Sequence, residues 1–211
     1  GAVGLLDGQR WSAIISRGYY HRTTISALTI IDGKLVVQGT FDSAAEEDWY
    51  QWQNRSNHSL AVYDIDGDGR DEILYSAANF KLVDGAIRPM LLVGAMMPGP
   101  GTPEPAANSN LITLEIENAS TSVWLPMRHG DRHALLPVDA SNRLLYYSCR
   151  EEWIANDIRD GKNYGWLPGW TLHDPMTGKV LIAIYSGNDY DGGTAGNFDP
   201  RYESVEVYTG R

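Results

Sequence analysis

The run Asp64-Ile65-Asp66-Gly67-Asp68-Gly69-Arg70-Asp71-Glu72 sets carboxylates on alternate residues, interrupts them with two glycines and closes on an acid pair. A hard cation such as Ca²⁺ takes about six to eight oxygen ligands, and alternate carboxylates converge on one point only where glycine lets the backbone curl. Asp64, Asp66, Asp68, Arg70, Asp71 and Glu72 are therefore the candidate metal positions. The first half matches the start of an EF-hand loop. The acid pair, however, arrives at positions 8 and 9 of the run, where an EF-hand holds its bidentate Glu back to position 12. Residues 60–63 and 73–75 read as strands, so no helix enters or leaves. The run reads as a short calcium loop joining β-strands. The alternative is an Asp/Gly turn that holds no ion.

The elements around this loop are short. Apolar or alternating runs at residues 12–16, 23–31, 34–38, 60–63, 73–76, 90–94, 111–117, 144–148, 180–185 and 205–208 predict strands. The pairs Asp32-Gly33, Asp84-Gly85, Asp160-Gly161 and Thr177-Gly178 predict turns between them. Only residues 44–53 and 151–158 have a helical pattern, and the proline-rich stretch 97–107 reads as a surface loop. Many short strands with short turns predict an all-β sandwich, barrel or propeller.

Composition narrows the partners. Hydrophobic residues make up 43% of the chain, enough for a core, and Tyr (12) and Trp (7) outnumber Phe (3). Rings with a polar handle suit half-buried strand positions and sugar-stacking surfaces. A formal charge of −10 argues against nucleic acid and anionic membranes. Bound calcium would soften the same objection to an anionic polysaccharide, because it adds positive charge where the carboxylates cluster. The single cysteine, Cys149, excludes a disulfide framework and a Cys-based zinc site, and its apolar neighbours predict a buried, inert thiol. No run here reads as a membrane span or as a secretory leader. The opening Gly1-Ala2-Val3-Gly4, without an initiator Met, reads as a processed or truncated start.

A weak internal repeat selects among the β architectures. The loop at Asp66 is echoed by Pro137-Val138-Asp139 and again by Asn197-Phe198-Asp199-Pro200. Two of these loops end on an acid before apolar residues, at Glu72 and at Glu206. A second repeated element is a hairpin, residues 28–35 resembling residues 172–181. Units of this size with a recurring Asp/Gly turn predict propeller blades, about three to four of them here.

The motifs Arg17-Gly18-Tyr19-Tyr20-His21-Arg22-Thr23, Asp32-Gly33-Lys34-Leu35, Phe41-Asp42-Ser43 and Asn57-His58-Ser59-Leu60-Ala61-Val62 lead into the aspartate loop. They continue with His129-Gly130-Asp131, Asp174-Pro175-Met176-Thr177-Gly178-Lys179-Val180-Leu181, Asp199-Pro200-Arg201-Tyr202 and Glu206-Val207. In these ordered motifs the chain resembles the family 11 polysaccharide lyases, the rhamnogalacturonan lyases. The resemblance implies an all-β, eight-bladed β-propeller that holds many calcium ions and cleaves the rhamnose–galacturonate backbone of pectin by β-elimination. It implies an extracellular or cell-surface setting. Because family enzymes are far longer, residues 1–211 are expected to be a partial propeller domain resembling their N-terminal-to-middle blades. The missing blades would come from another chain or fragment. The chain departs from the family at Asn54-Arg55-Ser56, at Pro137-Val138-Asp139, at Asn197 and at Arg150, where the family carries Gly-Gln-Gly, Asp-x-Asp, Asp and His.

β-Elimination from a uronate needs its carboxylate neutralised and a base near C5. Calcium meets the first need, and His58, His129 or Arg150 are the candidates for the second. Either histidine also reads as a hydrogen-bonded turn residue. Asp131 could ligate calcium or orient His129, and Arg150 could clamp a galacturonate carboxylate or sit in a solvated ion pair with Glu151 or Glu152. Arg17, Tyr19, Tyr20 and Asn57 are the candidate sugar contacts, with core packing the alternative for the tyrosines. Asp189, in the acidic stretch 187–193, is a further candidate ligand, with Asn197, Asp199 and Glu206. His133 and His173 read as structural. Three glycosylation sequons, at Asn54, Asn57 and Asn118, matter only in a eukaryotic secretory host.

Overall fold

The structure, a computed structural model, describes residues 1–18, 20–47, 49–97, 111–112, 123–137, 143–150, 161–162, 167–185, 190, 192–202 and 205–210. The chain divides into two compact units, Gly1–Leu92 and Val93–Arg211.

The first unit holds two four-stranded antiparallel sheets. One is built from β1 (Ala2–Gly4), β2 (Ser12–Arg17), β3 (Thr24–Ile31) and β4 (Lys34–Asp42), the other from β5 (Ala61–Tyr63), β6 (Glu72–Leu74), β7 (Ala78–Val83) and β8 (Ala86–Leu92). Each sheet is laid down strictly in chain order, the meander that a propeller blade repeats. The turns Asp32-Gly33 and Asp84-Gly85 join β3 to β4 and β7 to β8. Both residues of each turn have positive φ, 50° and 72° in the first and 48° and 77° in the second. That is the geometry of a two-residue hairpin turn, which Asp-Gly adopts at little cost. Period-two alternation in β3 sends Ile25, Ala27 and Thr29 inward. There Ile25 and Ala27 join a core with Leu6, Ile14, Phe41, Ile73, Tyr75, Phe80 and Ile87. Phe41 packs on Phe80 with ring centroids 4.7 Å apart, and Trp52 closes the group at 6.1 Å from Phe80.

The helix predicted over residues 44–53 is instead two 3₁₀ turns, Ser43–Ala45 and Trp49–Trp52. The Asp42 carboxylate accepts from Ala44 N–H at 3.0 Å and caps the first turn. A run this short lacks the hydrogen bonds to offset helix nucleation without an apolar face to dock. The helical pattern at residues 151–158 lies outside the described residues.

The second unit contains β9 (Gly94–Met97), β10 (Leu111–Ile112), β11 (Val123–Pro126), β12 (His133–Pro137), β13 (Leu144–Cys149), β14 (Trp170–His173), β15 (Val180–Tyr185), β16 (Gly192–Gly196) and β17 (Glu206–Gly210). Its main sheet runs β10-β15-β14-β13-β12, and β11-β9 and β16-β17 form two antiparallel pairs. Leu136, Leu145, Tyr147 and Cys149 are the buried centre of this unit, with Trp170, Leu172, Ala195 and Val207 against them. Cys149 is a free, buried thiol whose Sγ lies 3.6 Å from the Arg132 carbonyl. Burial pushes its pKa above the ordinary thiol value, which removes the thiolate that reactivity needs. The fold class is all-β.

Candidate metal centre

The aspartate loop joins β5 to β6, and its backbone explains its sequence. Gly67 and Gly69 have φ of 77° and 83°, the left-handed region that side-chain-bearing residues avoid. With both glycines turned this way, three backbone N–H groups point at one carboxylate. Asp64 Oδ1 accepts from Gly67 at 2.7 Å and from Asp68 at 3.1 Å, and its Oδ2 accepts from Gly69 at 2.9 Å. Asp66 Oδ1 accepts from the Asp68 N–H and Asp68 Oδ1 from the Arg70 N–H. Arg70 thus contributes a backbone donor to the curl. Glu72, the first residue of β6, is fully buried, and its Oε2 accepts from Ile65 N–H at 3.0 Å, closing the loop.

Carboxylate oxygens of Asp64, Asp66 and Glu72 lie within 4.8 Å of one another. Two oxygens bound to one Ca²⁺ at 2.3–2.6 Å are at most about 5 Å apart, so this donor set has the size and hardness of a calcium site. Asp71 takes no part in the cluster. Its Oδ2 accepts from Leu5 N–H at 2.6 Å while its own N–H donates to Leu5 O at 3.1 Å, so Asp71 ties the segment after β1 to the loop.

One residue of this centre escapes the sequence reading. Lys81, on β7, places Nζ 2.7 Å from Asp66 Oδ2, 2.9 Å from Asp68 Oδ2 and 2.8 Å from Glu72 Oε1. The pairing Ile73↔Phe80 between β6 and β7 carries Lys81 alongside Glu72. A charged residue interrupting the apolar run Phe80–Leu82 is the only signal it leaves in the sequence. Burial raises the Glu72 pKa above the usual carboxylate range, against the hydrogen bonds from Lys81 and Ile65. Burial also works against the Lys81 ammonium, but its bonds to Asp66, Glu72 and Asp68 outweigh it and raise its pKa. The hydrogen bond from Lys81 lowers that of Asp68.

The loop at residues 197–206 repeats this design in the second unit. Glu206, opening β17, accepts through Oε2 from Phe198 N–H at 2.7 Å and Asp199 N–H at 3.4 Å, as Glu72 does from Ile65. Asp199 is held by Arg201, whose Nε lies 2.8 and 3.0 Å from its two oxygens, and Asn197 is exposed. Asp139 and Asp189 lie outside the described residues.

The other candidates divide between the units. In the first, Asn57 is buried and His58 exposed, Arg17 is an exposed residue at the end of β2, and Tyr20 is 40% exposed. Tyr19 lies outside the described residues. In the second, His129 and Asp131 are buried, and the Asp131 N–H donates to Cys149 O at 3.1 Å. Arg150 is fully buried, so the solvated ion pair envisaged for it is corrected. Its Nη1 donates to Arg128 O at 2.8 Å and its Nη2 to Thr171 Oγ1 at 3.2 Å. Burial lowers its pKa to about 10. His133 and His173 stack on the two sides of Tyr146, at centroid distances of 5.3 and 4.9 Å. Burial lowers their pKa values to about 4 and about 3, with the Arg150 charge adding to the effect on His173.

Residues 1–86 match the family described as Rhamnogalacturonan lyase family 11, C-terminal domain. The chain is 29% identical over 206 residues to rhamnogalacturonan endolyase YesW of Bacillus subtilis (strain 168), covering 98% of this chain and 26% of that protein. It is 27% identical over 205 residues to rhamnogalacturonan exolyase YesX of the same organism, covering 96% of this chain and 26% of that protein. The crystal structure of rhamnogalacturonan lyase YesW superposes with a TM-score of 0.67 at 28% identity, over 99% of this chain and 28% of that one. The Bacillus licheniformis rhamnogalacturonan lyase PL11 gives 0.65 at 30% identity, over 99% and 28%. The chain thus spans about a quarter of the length of the curated relatives it matches. In sequence and in fold it is similar to part of the family 11 rhamnogalacturonan lyases, and the match of residues 1–86 to their C-terminal domain corrects the expected likeness to their N-terminal-to-middle blades.

Proposed function

We propose that this chain is a calcium-dependent, rhamnogalacturonan lyase-type part of a β-propeller, acting on the rhamnose–galacturonate backbone of pectin by β-elimination. The observation that carries the reading is likeness along 96–98% of the chain to both an endolyase and an exolyase of rhamnogalacturonan. The two in-order meanders of the first unit support the propeller, whose remaining blades would come from further chain. Asp64, Asp66, Asp68 and Glu72 would hold calcium in the first unit, and Asp199 and Glu206 offer a second, weaker set beside Asn197. The chemistry expected of bound calcium is neutralisation of the galacturonate carboxylate, which acidifies the C5 proton.

The elimination removes that proton to a base, forms the C4–C5 double bond and breaks the C4–O bond to the departing sugar, whose oxygen is then protonated. His58 is the exposed imidazole among the three basic candidates and is assigned the base. His129 and Arg150 are buried and are assigned to shaping the second unit. Arg17, Tyr20 and Asn57 are the sugar contacts of the reading. A polymer substrate of this kind goes with an extracellular or cell-surface protein. Among the described residues no helix is long and apolar enough to cross a membrane.

The deciding assay incubates the protein with rhamnogalacturonan and calcium and follows the ultraviolet absorbance of the unsaturated uronate product. A calcium-dependent rise that His58→Ala abolishes is the expected result. Binding by calorimetry without any rise would favour the second reading, a calcium-stabilised carbohydrate-binding module that does not cut. The burial of Arg150, where the family's histidine is replaced, speaks for that second reading.

A further inference from the structure

We propose that Lys81 is the resident cation of the aspartate loop, and that a divalent cation enters the loop only by exchange with it. The inference rests on the reading of this loop as a calcium site. The Lys81 ammonium donates to Asp66 Oδ2 at 2.7 Å and to Asp68 Oδ2 at 2.9 Å, and it forms an ion pair with Glu72 Oε1 at 2.8 Å. Glu72 is fully buried, and a buried carboxylate persists in its charged form only when paired. Lys81 is its ion-pair partner among the described residues. The oxygens that Lys81 engages on Asp66 and Glu72 belong to residues of the group close enough to share one ion. A divalent ion at bonding distance from those oxygens would stand against the ammonium itself. The two cations exclude one another, and the flexible four-carbon stem of lysine lets the ammonium swing out to water.

The second loop supports the same principle independently. There Asp199 is engaged by Arg201, two residues along, at the place where the first loop has Asp68. Each acidic loop therefore carries a basic side chain of its own, from a strand in one case and from the loop in the other. Part of the negative charge of each cage is offset before any ion arrives.

The test is a calorimetric titration of calcium chloride into the full chain, into Lys81→Met and into Lys81→Arg. Exchange requires Lys81→Met to bind at least about ten-fold more tightly than the parent, because no tethered cation has to leave. Lys81→Arg keeps the parent affinity. Without calcium Lys81→Met melts below the parent, and added calcium restores it. Asp66→Asn in the Lys81→Met background removes the gain and so assigns it to this loop. If Lys81→Met does not fold, Lys81→Gln carries the same titration. A parent that binds calcium as tightly as Lys81→Met overturns the exchange while leaving the calcium reading intact. No binding by either protein at millimolar calcium overturns both. A gain that survives Asp66→Asn also overturns the exchange, because it places the ion elsewhere.

Discussion

Glu72 and Glu206 close their loops in the same way, each holding the N–H of the residue after the first loop position. The acid that ends each run thus fixes the backbone through one oxygen, while the other remains for a cation. Replacing Glu72 by Ala strands the Ile65 donor and removes one partner of a buried ion pair, and is expected to cost about 2–4 kcal/mol in urea unfolding. A loss below about 0.5 kcal/mol would mean that water replaces both contacts. His173 supplies a pH prediction. Burial first, and the charge of Arg150 second, lower its pKa to about 3, and its ring packs on Tyr146. In the unfolded chain an imidazole titrates near 6.5, so below that pH the unfolded state binds the extra proton. The contribution of neutral His173 is whole above about pH 6.5 and is lost progressively as pH falls towards 3. The melting temperature should therefore drop between about pH 6.5 and 5, before most carboxylates titrate, and His173→Leu should flatten that part of the profile.

At the scale of elements, the hairpins were legible where the backbone has one solution. Asp32-Gly33 and Asp84-Gly85 need positive φ at both positions, and Asp-Gly announces it. The β2–β3 connection depends on Gly18, with φ of 87°, where an added Cβ would lie 1.7 Å from Arg22 O. Thr23 Oγ1 ties the same turn to Gly18 O at 3.1 Å. Gly18→Ala is expected to destabilise by about 2–4 kcal/mol and to shift the melting curve without new residual structure. An unchanged curve would show that the turn can rebuild itself. Strand β16 was not legible, because Gly192-Gly193-Thr194-Ala195-Gly196 reads as a flexible loop. Gly193 has a packing reason, since a Cβ there would meet Tyr147 Oη at 2.4 Å. Strand β7 lost its alternation because Ala78, Asn79 and Phe80 are all buried, and a strand covered on both faces shows no period of two.

At the scale of the molecule, a formal charge of −10 opposes a uronate polymer at long range. Binding of rhamnogalacturonan should strengthen, or at least hold, as sodium chloride rises from about 0.01 to 0.15 M, because salt screens the repulsion. Affinity electrophoresis at the two salt concentrations tests this. A steep loss of affinity would instead mean that a local basic surface, with Arg17 a part of it, overrides the net charge.

By itself the sequence determined the all-β class, the Asp-Gly hairpins, the position of the acidic loop and the closing role of Glu72 and Glu206. These follow from local rules of φ, alternation and carboxylate spacing that act within a few residues. Tertiary structure alone decided where each charge points. Asp71 turns to Leu5, Arg150 withdraws to Arg128 O and Thr171, and Lys81 comes into the loop from β7. Each of these outcomes depends on strand register and burial between residues distant in the chain, and no local spacing records them.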